Sequence, residues 1–148
     1  MKGDYEIPRG GVRSGPADAL FGLRVAADGE PLSVLVVDDD PAWQRALERG
    51  LLDIDVEIVS TIGAKEDVEG AIAALGRCIV LTELSLAGSS LAGLSVVEAA
   101  QRANAPVAIV AGCTRRKIDQ LRAVPFLPKV DLNRASLRAL LRYLARGL

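Results

Sequence analysis

Histidine is absent from all 148 residues, and that absence excludes more than any other feature of the composition. The commonest general base, the commonest zinc ligand and the phosphohistidine carrier are missing together, so histidine-based hydrolytic triads and phosphohistidine transfer are out. Aromatic residues are nearly as scarce. One Trp, two Tyr and two Phe are too few for the stacking platform on which single-stranded nucleic acid binds. Cysteine occurs twice, at Cys78 and Cys113. The two are not closely spaced and sit in apolar surroundings, which supports neither a metal knuckle nor a redox pair and leaves buried free thiols as the expectation. No apolar run approaches the roughly 20 residues that span a bilayer. The amino terminus also lacks the charged-then-apolar order of a signal segment, so a cytoplasmic chain is expected.

What is present is enough for one core. With 50% hydrophobic and 25% charged residues in 148, the chain can bury a single domain and is too short to promise two. Residues 1–31 hold six of the fourteen glycines and three of the seven prolines, and read as an amino-terminal arm. Within the arm, Leu20, Phe21, Leu23 and Val25 give Ala17 to Val25 enough apolar surface for a short element. The net charge of -1 hides an asymmetry: residues 115–148 carry nine of the eighteen Lys and Arg against only Asp119 and Asp131. The carboxyl-terminal end is therefore a basic face, either solvated or turned to an acidic partner.

From Leu32 onward short apolar runs alternate with helical periodicity, the pattern of βα units and a parallel sheet. The runs are Val34 to Val37, Val56 to Ser60, Cys78 to Thr82, Val107 to Ala111 and the short Phe126-Leu127. Between them Trp43, Leu47 and Leu51 share one helical face, and Val68, Ile72 and Leu75 share a second. Leu94, Val97 and Gln101 line a third, Ile118 and Leu121 mark a fourth helix, and Leu137, Leu140, Leu141 and Leu144 mark a fifth. Five such units in one domain over residues 32–148 predict a flavodoxin-like, doubly wound α/β fold. Its five parallel strands would run in the order 2-1-3-4-5 with five helices, and its ligand site would lie beyond the carboxyl ends of strands 1 and 3.

The run Leu32 to Val37 stops at Asp38-Asp39-Asp40-Pro41, which delivers three acids to that switch point. Asp40 and Pro41 read as the N-cap and first residue of a helix, leaving Asp38 and Asp39 at the strand end. Adjacent carboxylates repel unless neutralised. A divalent ion held weakly by Asp38 and Asp39, or a structural ion pair with Lys129, would each do so.

In order and spacing, residues 33–148 resemble the receiver domain of two-component response regulators. Val36 to Pro41 looks like the family's strand-1 acidic motif, whose carboxylates bind Mg²⁺. Val80 to Gly88 looks like its strand-3 motif, Pro106 to Gly112 resembles strand 4, and Phe126-Leu127-Pro128-Lys129 resembles strand 5 with its lysine. The resemblance makes Glu83 the acceptor position, and Ala111, Phe126 and Lys129 the switch positions.

At those positions the chain departs from the family's pattern. Glu83 stands where the family keeps its phosphoacceptor aspartate, and a carboxylate one C–C bond further out spoils an in-line geometry in which roughly 1 Å of misplacement can cost about a hundredfold. Its extra reach lets it approach Lys129 instead, as a phosphoryl group would. Ala111 and Gly112 replace the family's Thr or Ser, and the nearest hydroxyl downstream is Thr114. Phe126 has no hydroxyl. Val130 follows Lys129 where the family has a cis proline, and a cis non-proline bond costs about 3 kcal/mol, so a trans path is expected. The loop Ala87 to Gly93 is longer than the family's and rich in Gly and Ser.

Arg134, Arg138, Arg142 and Arg146 recur every fourth residue as a stripe on the last helix. Arg115, Arg116 and Lys117, at the start of the fourth helix, are expected on the same side. In receivers the face made by the fourth helix, fifth strand and fifth helix serves dimers and output contacts. The expected function is thus a stand-alone, non-enzymatic pseudo-receiver of two-component-type signalling. It would need no cofactor, bind a protein partner or a second copy through Arg115, Arg116, Arg134, Arg138 and Arg142, and undergo no aspartyl phosphorylation. The alternative is an Mg²⁺-dependent receiver with an unusual acceptor. A small-ligand or nucleic-acid binder is the weakest reading.

Overall fold

Strand β1 (Ser33–Val37) is buried along its whole length, as a central strand covered on both faces must be. A computed structural model of the chain describes residues 32–54, 56, 58–63, 68–86, 92–112 and 123–148. Residues 1–31, where an arm is expected, residues 87–91, where a loop is expected, and the segment 113–122 lie outside the described residues. That last segment includes Cys113, Thr114, Arg115, Arg116, Lys117 and the helix expected around Ile118 and Leu121.

After β1 come α1 (Pro41–Asp53), β2 (Ile58–Ile62), α2 (Val68–Leu75), β3 (Cys78–Thr82), α3 (Gly93–Arg102) and β4 (Val107–Ala111). The chain then forms β5 (Phe126–Pro128), a 3₁₀ turn (Lys129–Asp131) and α4 (Arg134–Ala145). The strands form one parallel sheet in the order β2-β1-β3-β4-β5, the doubly wound flavodoxin-like topology anticipated from the alternation of runs. Four α-helices are present among the described residues.

Alternation along each strand sends side chains to two cores. Leu35, Val37, Val80, Ile109 and Ala111 join Val68, Ile72, Val96, Val97 and Ala100 of α2 and α3 on one face. Val34, Val36, Ile79, Leu81 and Val110 join Leu47, Leu51, Leu137, Leu141 and Leu144 of α1 and α4 on the other. Caps fix the helix starts that aim the loops. Asp40 accepts from the Ala42 amide with Pro41 at the first helical position, and Asn133 with Ser136 forms a reciprocal capping box on α4.

Two expectations need correction. Strand β2 starts at Ile58 and runs to Ile62, two residues later than the apolar run implied, because Val56 is still hydrogen-bonded to the end of α1. There the amides of Ile54 and Val56 donate to Gly50 and Leu51 carbonyls. The buried face of α3 is Gly93, Val96, Val97, Ala99 and Ala100, while Leu94 is half-buried and Gln101 exposed. The rotation follows from Gly93, whose amide donates to the Leu84 carbonyl at 2.7 Å. A Cβ there would lie 2.2 Å from the Glu83 carbonyl oxygen and 2.6 Å from Leu84 Cα. Backbone cannot yield as a side-chain tip does. Gly93→Ala should therefore cost at least about 1–3 kcal/mol, read as a lowered urea midpoint with unchanged slope, and a variant as stable as wild type would contradict the close approach.

Candidate functional site

The register pairs Val37 of β1 with Thr82 of β3, so Asp38 and Glu83 leave adjacent strand ends side by side. The Glu83 amide donates to the Val37 carbonyl at 2.8 Å and the Asp38 amide to the Ile62 carbonyl at 3.1 Å, which holds both residues in line with the sheet beyond the last ladder positions. From β4 the chain passes to β5, where Ala111 pairs with Pro128. Lys129 follows at the same edge.

The three side chains meet. Lys129 Nζ lies 2.9 Å from Asp38 Oδ2 and 2.7 Å from Glu83 Oε1, with the lysine side chain 10% exposed and the carboxylates 2% and 9%. Glu83 Oε2 accepts from the amides of Leu84 at 2.5 Å and Ser85 at 3.0 Å. Asp38 Oδ1 accepts from the Asp40 amide at 2.9 Å. Asp38 Oδ2 has no hydrogen bond of regular angle, so the ammonium alone neutralises it. The indole of Trp43 lies over Lys129, 4.8 Å from Nζ to the ring centroid, a cation–π contact. Gln44 Nε2 donates to the Asp38 carbonyl.

Electrostatics divide unevenly among the three. Burial opposes the charge of Lys129, but its close contacts with Glu83 and Asp38 and the negative charge of both outweigh it, raising its pKa above 10.5. For Asp38 burial is the largest influence and raises the pKa above 3.8, with repulsion from Glu83 adding and the Asp40 amide and Lys129 opposing. The asymmetry is physical: the cation has two carboxylates to itself, whereas Asp38 shares one cation. Elsewhere, burial pushes the free thiol of Cys78 up to about 11, leaving it an inert core residue.

The positions expected from the sequence separate into those brought together and those not. Asp38, Glu83 and Lys129 form one cluster. Ala111 is fully buried and Phe126 half-buried against the same core, and neither supplies a hydroxyl. Asp39 is exposed. Arg115 and Arg116 lie outside the described residues. Arg134 binds Asp53 of α1 through Nε at 2.9 Å and through its terminal nitrogen, so the first member of the α4 stripe is an internal, exposed partner of α1. Arg138 is half-buried and Arg142 exposed.

Trp43 and Gln44 were missed as site residues, although their place in the first turn after Asp40-Pro41 is the signal that could have found them. The Mg²⁺ implied by the family resemblance fails a fit test. Divalent ions of that kind need oxygen lone pairs converging on one point, and here the point between Asp38 Oδ2 and Glu83 Oε1 is taken by the Lys129 ammonium. No group of three metal-ligating side chains gathers among the described residues.

No protein-family model and no curated protein matches the chain. Solved structures do match. The receiver domain (CheY-like) from Methylobacillus flagellatus is 19% identical over 76% of this chain and 98% of its own, with a TM-score of 0.62. The BeF3-activated conformation of SdrG from Pseudomonas melonis Fr1 is 25% identical over 76% and 95%, TM-score 0.59. Anti-anti-sigma factor PhyR from Bartonella quintana is 18% identical over 77% of this chain, TM-score 0.65, and this chain spans 46% of it. The architecture is that of the response-regulator receiver fold. Among the described residues no helix is long and apolar enough to cross a membrane.

Removing Lys129 while two buried carboxylates remain should be severe. Lys129→Met is expected to cost about 3–5 kcal/mol by urea titration, and the triple change Asp38→Asn, Glu83→Gln, Lys129→Met should recover most of it because no charge is left unpaired. A lysine whose folded pKa exceeds its unfolded value contributes stability in full below pH 10.5 and loses it as pH rises through the folded value. The urea midpoint should fall more steeply above pH 10.5 in wild type than in Lys129→Met, and parallel profiles would contradict the ion pair.

Proposed function

We propose that the chain is a pseudo-receiver: a receiver-fold module of two-component-type signalling that works by binding a protein partner, is not an enzyme and undergoes no phosphorylation at its acceptor position. One observation carries this reading. Both oxygens of Glu83, at the acceptor position, are engaged, one by the Lys129 ammonium and the other by the Leu84 and Ser85 amides. A nucleophile must present an oxygen in line with phosphorus, and a carboxylate held by three such contacts is poorly placed to turn one towards it. Ala111 adds to this. It supplies no hydroxyl for a phosphoryl oxygen at the end of β4, the place where receivers carry Thr or Ser. The corner instead holds a carboxylate–lysine contact that imitates the one a phosphoryl group would make.

The partner surface in this reading includes Arg138 and Arg142 of α4, with Arg115 and Arg116 proposed to extend it. Arg134, in its exposed ion pair with Asp53, lies at the start of the same helix. A second copy of the chain and an acidic protein surface are both suited to such a face.

Beryllofluoride with Mg²⁺ mimics an acyl phosphate and tests the reading directly. The expected amide spectrum is unchanged at Ala111 and Phe126 when both are added to saturation. Shifts at these two positions, the response of a receiver that accepts a phosphoryl group, would replace the pseudo-receiver reading with that of an Mg²⁺-dependent receiver using Glu83 or a neighbouring aspartate.

A further inference from the structure

We infer that the ammonium of Lys129, roofed by the indole of Trp43, is the resident cation of the acidic corner and keeps divalent metal ions out of it. The inference rests on the pseudo-receiver reading and extends it from the phosphoryl group to the metal.

Three observations carry it. The ammonium sits between the two buried carboxylates at 2.9 Å and 2.7 Å, so it already occupies the point where their charges converge. A second cation arriving there would face it in a low-dielectric setting, where like charges repel strongly. The outer oxygens also accept from the backbone, Asp38 Oδ1 from the Asp40 amide and Glu83 Oε2 from two amides, which fixes how both carboxylates are turned. The one oxygen without a regular hydrogen bond, Asp38 Oδ2, is the atom whose charge the ammonium neutralises. That atom becomes available only when Lys129 is gone. Finally, the Trp43 ring lies over Nζ. Leaving would strip a buried cation of both its carboxylates and its aromatic face.

Lys129 thereby has the two duties that a metal and a lysine divide between them in a site with both. It neutralises the strand-1 carboxylate, and it holds the side chain at the acceptor position. The corner is consequently set without reference to magnesium concentration.

Trp43 is the only tryptophan and touches the ammonium, so its emission reports on this corner alone. The full chain is titrated with MgCl₂ while Trp43 emission is read. In parallel, MnCl₂ is added and paramagnetic broadening of the Asp38, Asp39 and Asp40 amides is followed. Wild type should show no emission change and no selective broadening at millimolar metal. Lys129→Met should show both, with Mg²⁺ bound at least about tenfold more tightly than by wild type. Its urea midpoint should rise with Mg²⁺ concentration by mass action, so that a variant unfolded without metal is recovered by it. Trp43→Leu, followed by the amide spectrum, keeps the charges and should stay blind to Mn²⁺.

Selective broadening in wild type overturns the inference. So does a Lys129→Met protein that neither binds nor is stabilised by Mg²⁺, because the freed carboxylates would then make no metal site. Metal binding gained by Trp43→Leu does the same, since the roof and not the ammonium would be the barrier. Beryllofluoride is absent throughout, so this experiment and the phosphoryl test fail separately.

Discussion

Two carboxylates held on one ammonium at the end of a parallel sheet are the constraint on which the rest of the site depends. Ionised and so close, Asp38 and Glu83 repel by an energy on the order of 3 kcal/mol at an effective dielectric near 20, and burial adds a desolvation cost to each. Lys129 reverses the sign of that sum. The raised pKa of the lysine and the raised pKa of Asp38 express the same compromise: the cation is comfortable, and the carboxylate that shares it is less so. Such a corner is rigid by necessity, since moving any one of the three leaves a buried charge unpaired.

The fold exists, from the site's point of view, to bring those three residues to one edge. β1 and β3 are neighbours in the sheet, so their exits lie side by side, and β5 follows β4 to deliver Lys129 beside them. Gly93 lets α3 begin directly beneath the Glu83–Leu84 backbone, which presents the Leu84 and Ser85 amides to the Glu83 carboxylate. Asp40 starts α1 at once after the acids, and that start swings Trp43 over the lysine. Packing and chemistry are coupled here through backbone positions more than through long side chains.

Much of this was legible in the residues, for identifiable reasons. β1, β3 and β4 are buried on both faces, so their apolar runs are continuous and their limits match the elements closely. β2 was misplaced because Val56 is apolar and buried yet hydrogen-bonded to the end of α1; a run of hydrophobic residues does not say which partner each amide has. The face of α3 was misread because Gly93 carries no hydrophobic signal although its lack of a side chain sets the helix against β3. At the site, the receiver resemblance put Glu83 and Lys129 beside Asp38, and a buried lysine among acids suggested an ion pair. The role of Trp43 was not readable, since an indole in the first turn of an amphipathic helix is more often simple packing. The three consecutive acids also prove unequal. Asp38 is buried under Lys129, Asp39 is exposed, and Asp40 caps a helix, a division made by the strand ending at Val37 and not by residue type.

If the corner is neutralised from within, its state is carried by the Lys129 ammonium, and that group can be observed. In ¹H–¹⁵N spectra tuned to lysine Nζ, a buried ion-paired ammonium exchanges slowly enough to give a resolved signal, whereas exposed lysines are averaged with water. The account predicts a protected Nζ signal from Lys129, lost in Lys129→Met and unmoved by Mg²⁺ and beryllofluoride. A Lys129 ammonium in fast exchange with solvent, or one displaced when Mg²⁺ is added, would contradict it.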